Sequence, residues 1–297
     1  MNPIAKIAGA LRNVARHPLN RRRKFKAVME YAFLQVAARL APGDICVEFP
    51  NHTHLLVPPR MKGAAHFIAP RLCEFEEMSF VMHFLRPGMM FMDIGANIGA
   101  FTVLAAGVAG ARAKAFEPSP LTYEILARNL SLNDLQGRAQ AIPAAVGRNI
   151  GEIQFSVDLG TENHVVANNS KQNSQRVRMT TLDHETAEDP PELLKVDVEG
   201  FEPEVFAGGT DTLRRPQLRG IIMERNNSGT RYGFDEEGLH AQIREQGFVP
   251  CRYEPLARKL TQITEQIGGN VIYIRDWAAA NARLQAAPAF KLGDLTV

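Results

Sequence analysis

The stretch MMFMDIGANIGAFT, residues 89–102, decides the fold predicted for this chain. Four apolar residues lead into Asp93, Gly95 and Gly99 bracket a tight turn, and an apolar segment suited to a helix follows. Glycine lets the backbone of such a turn pass close to a ligand, and the first turn of a helix presents free N–H groups. The stretch therefore predicts the first strand, turn and helix of a ligand-binding parallel sheet.

The residues after this turn repeat the order of strand, turn and helix. Seven strands are predicted at residues 89–94, 112–116, 140–146, 193–198, 219–224, 248–253 and 270–275, with helices at 96–108, 120–132, 203–206 and 234–246. Alternating units at this spacing indicate a doubly wound, Rossmann-like α/β fold with a mostly parallel seven-stranded sheet. No helical pattern separates the last two strands, so we expect them to be antiparallel. Residues 151–180 predict an inserted hairpin with an exposed loop around 163–173.

The chain divides into three parts. Residues 1–70 form an extension with a helix over 22–40 and a β-hairpin over 45–57, residues 71–276 form the main domain, and residues 277–297 form a C-terminal tail. Cys46, Cys73 and Cys251 are odd in number and far apart, which predicts neither a disulfide framework nor a zinc site. No apolar run reaches membrane-spanning length and no secretory signal is recognisable, so we expect a cytoplasmic protein.

The charge of the chain is unevenly distributed. Residues 1–40 contain nine Lys or Arg and a single acid, Glu30, which gives +8 there and leaves −6 on the remaining 257 residues of a chain with net charge +2. A basic, amphipathic N-terminus predicts contact with something anionic, such as a lipid surface or a lipid-linked glycan, with a solvated helix packed on the sheet as the alternative. Peripheral contact with the inner membrane surface through residues 1–40 is the functional hypothesis. Nucleic acid is not an expected partner, because few aromatic residues are interleaved with the cations.

Acidic residues end three of the predicted strands. Asp93 lies at the end of the first strand, Glu117 at the end of the second and Asp197 at the end of the fourth. Glu117 comes 20 residues after Asn97 of the turn. A carboxylate in the place of Glu117 is suited to accept both ribose hydroxyls of a nucleoside. A dinucleotide cofactor would need G-x-G-x-x-G in the turn, which is absent, and three carboxylates would repel its pyrophosphate. S-adenosylmethionine brings a sulfonium and an amino group, so the pattern predicts this cofactor and methyl transfer.

Four motifs together resemble the FkbM-type methyltransferases, over roughly residues 74–275. They are DIGANIGAFT (93–102), FEPSP (116–120), LDHE (182–185) and LLKVDVEGFE (193–202). The resemblance implies S-adenosylmethionine-dependent O-methylation, often of sugar hydroxyls in glycans, glycolipids or natural products. It also implies that the turn holds the methionine part of the cofactor, Glu117 the ribose, and residues 144–146 the adenine. The predicted cofactor-binding residues are Asp93, Gly95, Ala96, Asn97, Gly99, Thr102, Glu117, Pro118, Ala145 and Asp197.

The acceptor side of the site is predicted from the fourth strand. Asp197 and Glu199 follow it, and a carboxylate there can orient a hydroxyl and accept its proton. His164 in the insertion is the third predicted catalytic residue, with His184 as an alternative base. Asp197, Glu199 and Glu224 offer oxygen ligands to Mg²⁺, but substrate hydrogen bonding is the preferred interpretation and no metal ligand is assigned.

The predicted reaction is methylation of a hydroxyl oxygen, with a carbohydrate or glycolipid as the acceptor. Enzymes of this fold that methylate bases commonly carry Asn/Asp-Pro-Pro-Tyr/Phe after the fourth strand, where this chain has KVDVEG at residues 195–200. Two rival hypotheses remain at this stage. One is an RNA methyltransferase that uses the basic N-terminus, and the other is a non-catalytic module that only binds the cofactor.

Overall fold

The first elements of the chain are two helices and a hairpin. The computed structural model describes residues 3–21, 23–40, 43–58, 72–157, 163–166, 173–264, 268–292 and 295–296. Helices α1 (Pro3–Arg16) and α2 (Lys24–Leu40) pack against each other across a short 3₁₀ turn (Pro18–Asn20), and strands β1 (Ile45–Glu48) and β2 (His54–Val57) pair antiparallel around a second one (Pro50–His52). The predicted helix and hairpin are confirmed.

The main α/β part begins with α3 (Phe75–Phe84) and β3 (Met90–Ile94). It continues through α4 (Ala100–Val103, prolonged by a π-helical stretch Leu104–Val108), β4 (Arg112–Phe116), α5 (Pro120–Leu132), β5 (Ala139–Ile142), β6 (Ala145–Val146), β7 (Gly151–Ser156), β8 (Ser174–Thr180) and α6 (Leu182–Thr186). Next come β9 (Leu193–Val196), α7 (Glu202–Ala207), α8 (Thr210–Arg214), β10 (Gly220–Glu224), a 3₁₀ turn (Ser228–Tyr232), α9 (Glu236–Glu245), β11 (Val249–Glu254), β12 (Lys259–Gln262), β13 (Asn270–Ile274), α10 (Trp277–Gln285), β14 (Lys291–Leu292) and β15 (Leu295–Thr296).

The central sheet has eight strands in the order β12-β11-β13-β10-β9-β3-β4-β5. Strands β10, β9, β3, β4 and β5 are parallel, whereas β13 runs antiparallel to both β10 and β11. The predicted doubly wound fold and its antiparallel last pair are confirmed. The eighth strand, β12, was not predicted, because Leu260 is its single buried residue and no alternating pattern marks a short edge strand.

A small second sheet replaces the end of the predicted third strand. The prediction of one strand over 140–146 was wrong, because Pro143 cannot donate a ladder hydrogen bond and β5 ends at Ile142. Strand β6 instead joins the three-stranded sheet β6-β8-β7. The expectation of an exposed loop is also wrong where the structure describes it: Val165 bridges Phe155 and is buried with Val166. Residues 167–172 of that loop lie outside the described residues.

The N-terminal hairpin and helix α10 pack on the main part. In the hairpin, Leu55 and Val57 are fully buried in the core. The carboxamide of Asn133, which follows the last residue of α5, bonds both backbone groups of His54. Helix α10, within residues 277–297, buries Leu284 and packs on α3. Among the described helices none is long and apolar enough to cross a membrane.

Candidate active site

A cavity of about 620 Å³ opens at the carboxyl ends of β3, β4, β9 and β10. These strands are parallel, so the residues that follow them meet at one edge of the sheet, where ligands bind in open α/β folds. The lining includes seven of the predicted cofactor-binding residues: Gly95, Ala96, Asn97, Glu117, Pro118, Ala145 and Asp197. Asp93, Gly99 and Thr102 are not among the lining residues.

The two glycines of the first turn are required by contacts within the protein. Gly95 has φ +79, and a Cβ there would lie 1.9 Å from the backbone oxygen of Asp197. Gly99 has φ +85, and its Cβ would lie 2.5 Å from Cδ1 of Leu126 on α5. The turn is therefore packed directly against the loop after β9 on one side and against α5 on the other. This contact holds the Asp197 backbone beside the predicted cofactor loop.

Asp93 lies behind this turn, with no exposed surface. Its Oδ2 accepts a hydrogen bond of 2.7 Å from the Thr102 hydroxyl, and its Oδ1 has no partner among the described residues. Burial raises the pKa of Asp93, and the Lys195 charge opposes that shift. Thr102, predicted to bind the cofactor, thus contacts Asp93 and positions its carboxylate. A buried, unpaired carboxylate oxygen is costly, and the positive charge of Lys195 offsets part of that cost.

Glu117 is held by the backbone on both sides. Oε2 accepts from the Asn97 N–H at 3.0 Å and Oε1 accepts from the Ser119 N–H at 2.9 Å. Burial raises the pKa of Glu117 to about 7, and these two hydrogen bonds oppose the rise. Asn97 has φ +52, a conformation that asparagine tolerates, and its Oδ1 accepts from the Ile98 N–H. A ligand therefore meets a carboxylate whose orientation is already set.

Lys195 is the central cation of the site, and sequence reasoning missed it. Its ammonium donates to Oδ2 of Asp197 at 2.9 Å and lies 4.7 Å from the ring centroid of Phe101. Burial alone would lower its pKa, but the negative charges of Asp197, Asp93 and Glu74 outweigh burial and raise it. The available signal was a lysine inside an apolar strand with an acid two residues later, on the same face.

Three carboxylates cluster next to this ion pair. Oxygens of Asp197, Glu199 and Glu224 all lie within 4.8 Å of one another, and these are the described residues that could hold a divalent cation. Burial, together with the charges of Asp197 and Glu199, raises the pKa of Glu224 to about 9. Glu224, which ends β10, therefore carries a proton at neutral pH unless a cation approaches it.

Two further acids belong to the site: Glu74 lines the cavity, and Glu202 contacts the loop after β9. Glu74, which accepts from the Asn270 side chain, lines the cavity, and burial raises its pKa to about 7. Glu202 accepts from the backbone N–H groups of Val198 and Gly200, and burial raises its pKa to about 7 as well. Among the described lining residues, the carboxylates outnumber the one ammonium, that of Lys195, so the cavity favours a positively charged ligand.

The two candidate histidines are not brought to the acids. Asn163 and Val165 line the cavity, but His164 between them does not. His184 is exposed in the first turn of α6, where its N–H is capped by Thr181. Of the three predicted catalytic residues, the structure places Asp197 and Glu199 together in the cavity and adds Glu224 to them.

Helix α1 forms a wall of the cavity that the sequence did not predict. Ala10, Asn13, Val14 and His17 line it, and so does Tyr31 of α2. The His17 ring has both nitrogens engaged, with Nε2 2.8 Å from the Leu72 carbonyl and Nδ1 accepting from the Leu19 N–H. Burial lowers its pKa, so His17 is a neutral structural residue of this wall.

Comparison with known proteins matches this chain to a methyltransferase family and to a methyltransferase relative. The FkbM methyltransferase domain family matches residues 93–250 of this chain. A curated relative, Methyltransferase sdnD of Sordaria araneosa, is 28% identical over 193 residues, which cover 53% of this chain and 72% of that protein.

The similarity to solved structures is weaker. An FkbM methyltransferase from Methylobacillus flagellatus KT aligns with a TM-score of 0.44 and 14% identity, covering 84% of this chain and 60% of that one. This chain thus spans about three fifths of that protein's length. An S-adenosylmethionine-dependent O-methyltransferase from Thermotoga maritima aligns with a TM-score of 0.38 and 12% identity, over 67% of this chain and 64% of that one.

The sheet order and the cavity at its carboxyl edge define a Rossmann-like methyltransferase fold. Because the family match spans more than half of the chain, including the turn, Glu117 and the β9 loop, this chain belongs to the FkbM methyltransferase family. Its methyl donor is S-adenosylmethionine. The carboxylate-rich cavity fits the positive charges of that cofactor.

Proposed function

We propose that this enzyme transfers the methyl group to a hydroxyl oxygen, most suitably that of a carbohydrate. The observation that carries the proposal is the carboxylate cluster of Asp197, Glu199 and Glu224 in the cavity. Carboxylates accept hydrogen bonds from hydroxyl groups, and several of them together match an acceptor that offers several hydroxyls.

The roles proposed for the residues follow from their partners. When bound, S-adenosylmethionine would supply a methyl group on a sulfonium: the acceptor oxygen would form the new C–O bond as the C–S bond breaks, and the electron pair of the C–S bond would stay on sulfur. Lys195 holds Oδ2 of Asp197, which leaves Oδ1 to accept the acceptor's O–H and orient the oxygen. The hydroxyl proton must leave during the transfer, and Glu224 is the carboxylate with the most basic character.

The loop after β9 supports an oxygen acceptor over a nucleobase. Directly after Asp197 it has Val198, Glu199 and Gly200, where enzymes that methylate bases commonly have two prolines and an aromatic residue. Its turn is instead shaped by Glu202, which accepts from two backbone N–H groups of the loop, and by Gly200 with φ +97. The acceptor end of the cavity thus offers the carboxylates of Asp197 and Glu199 at this loop.

The test is methyl transfer from labelled S-adenosylmethionine to extracted glycans and glycolipids, with RNA of the same source in parallel. Label recovered as an O-methyl sugar supports the proposal, whereas label found only in RNA overturns it. The Asp197→Asn variant should lose about 10²–10⁴ of turnover while its affinity for S-adenosylhomocysteine changes by less than about tenfold. Asp211→Asn, at an exposed acid outside the cavity, is the matched control. An unimpaired Asp197→Asn enzyme would contradict the role assigned to this carboxylate.

A further inference from the structure

Helix α2 presents a stripe of exposed apolar side chains. Phe25, Met29, Phe33 and Val36 are 81%, 55%, 71% and 54% exposed. With 3.6 residues per turn, positions spaced by four, four and three lie on one face of a helix. Single exposed apolar residues are ordinary on a protein surface, but four large ones aligned on one helix mark an interaction surface.

The opposite face of the same helix is turned toward the protein. Ala27 is buried, and Tyr31, four residues later, lines the cavity. The apolar stripe is thus not the side by which α2 packs on the rest of the chain. It also lies one helix diameter, about 10 Å, from a wall of the active-site cavity.

Unpaired cations accompany the stripe. Lys24 and Lys26 flank Phe25 and are exposed, as are Arg21 just before the helix and Arg12 and Arg16 on α1. Within the described part of the chain, Arg23 forms an ion pair with Glu30, whereas these five exposed cations have no carboxylate partner. Apolar side chains next to lysines and arginines match a surface that is apolar inside and anionic outside.

We propose that the Phe25, Met29, Phe33 and Val36 stripe of α2 docks the protein on an anionic lipid surface, with Lys24 and Lys26 at the headgroups. The binding energy combines burial of apolar side chains with attraction between cations and acidic lipids. This proposal does not depend on the identity of the methyl acceptor, so it can fail while the proposed function holds.

Charge also argues against the two other occupants. In a symmetric dimer built on the stripe, each copy would bring the same unpaired lysines toward the other, which is repulsive. Nucleic acid would satisfy the cations, but it would leave four large apolar side chains against a polar backbone. A lipid surface satisfies both the apolar and the basic groups.

The experiment uses the full chain with vesicles of phosphatidylcholine alone or mixed with phosphatidylserine, followed by co-sedimentation. We expect binding to the anionic vesicles that weakens as salt is added. Binding to the anionic vesicles should be weakened about tenfold or more in Phe25→Glu/Phe33→Glu, and separately in Lys24→Glu/Lys26→Glu. Two control variants change exposed positions elsewhere, Ile150→Glu/Leu256→Glu from apolar to acidic and Lys259→Glu/Lys291→Glu from basic to acidic. Both should bind as the parent does.

A second measurement reports insertion directly. The chain has one tryptophan, Trp277 on α10, so a Phe33→Trp variant adds a probe to the stripe, and Leu256→Trp is its control. A blue shift with anionic vesicles only in Phe33→Trp supports docking through α2. S-adenosylhomocysteine titration establishes that each variant is folded.

Three outcomes overturn the proposal. The first is no binding of the parent chain to anionic vesicles at low salt. The second is equal binding by folded Phe25→Glu/Phe33→Glu. The third is a dimer in light scattering that this double variant converts to monomer without any vesicle binding, which would assign the stripe to a second copy.

Discussion

At the scale of single residues, Glu117 has a carboxylate fixed by two backbone N–H groups and a pKa of about 7. A ribose hydroxyl donates more strongly to the ionised form, so binding of S-adenosylhomocysteine should weaken as pH falls below about 7. Glu117→Gln should bind about ten- to a hundredfold more weakly at pH 8 and lose most of this pH dependence.

Calorimetric titration between pH 6 and 8 makes that measurement. Glu124→Gln, at an exposed position of α5, is the matched control and should reproduce the parent profile. If Glu117→Gln had the same pH profile as the parent, the titrating group would be another residue of the cavity.

Glu224 leads to a different pH dependence. Its pKa is raised to about 9 by burial and by the charges of Asp197 and Glu199, and only its ionised form can accept a proton. If it accepts the hydroxyl proton, turnover should rise with pH up to about 9, and Glu224→Gln should be slower and lack that rise.

Initial rates at saturating cofactor from pH 6.5 to 9.5 test this, in the presence of a chelator because a bound cation would lower the pKa. Glu254→Gln, an exposed acid on β11, serves as the control. A steep rise that persists in Glu224→Gln would exclude this carboxylate as the proton acceptor.

At the scale of elements, the turn after β3 depends on one backbone contact. Gly95→Ala adds a methyl group 1.9 Å from the Asp197 carbonyl oxygen at φ +79, so the β9 loop must move. Gly88 has a similar φ, +85, and an added Cβ there would have nothing within 4 Å. Gly88→Ala therefore measures the cost of the backbone conformation without a steric clash.

We expect Gly88→Ala to lower the free energy of unfolding by about 1–2 kcal/mol and Gly95→Ala by at least about 2 kcal/mol more. Gly95→Ala should also impair turnover, because Asp197 is displaced. Urea unfolding and steady-state rates measure both effects. Equal stability of the two variants would show that the turn can relax away from β9.

At the scale of the whole molecule, the buried acids make stability depend on pH. Glu117 and Glu202 both have pKa values of about 7, above the usual value of 4.5. Between these two values the folded protein binds protons that the unfolded chain has released, so stability falls as pH rises through about 7. His240, whose pKa burial lowers to about 4, acts in the opposite sense below about pH 6.5 and so offsets part of this effect at pH 6.

The ligand-free protein should therefore melt at a higher temperature at pH 6 than at pH 8. Each of the two acids contributes about 1 kcal/mol over this interval, and about 2–4 °C corresponds to 1 kcal/mol in a chain of this size. Differential scanning calorimetry at the two pH values measures the shift, which Glu117→Gln should reduce. A melting temperature that rises with pH would contradict the assignment of protonated buried acids.

Local sequence determined the elements and their connections. Residues 89–102 contain the apolar strand, the two glycines and the helix as consecutive segments. Each acid is also close in sequence to its own strand, Asp93 to β3 and Glu117 to β4. Because parallel strands present their carboxyl ends at one edge, their order along the chain was enough to bring Asp93, Glu117 and Asp197 near one cavity. The pairing of the last strands also followed from the missing crossover helix.

Only the tertiary structure decided which surfaces meet. Nothing local to α1 shows that Ala10 and Asn13 line the cavity, since their partners are distant in sequence. The charge of Lys195 also depends on residues distant in sequence. Glu224 retains its proton because it is buried and lies near two carboxylates of another loop. Burial and electrostatic repulsion act through space, so the sequence determined where the acids stand along the chain, and packing determined which of them are ionised.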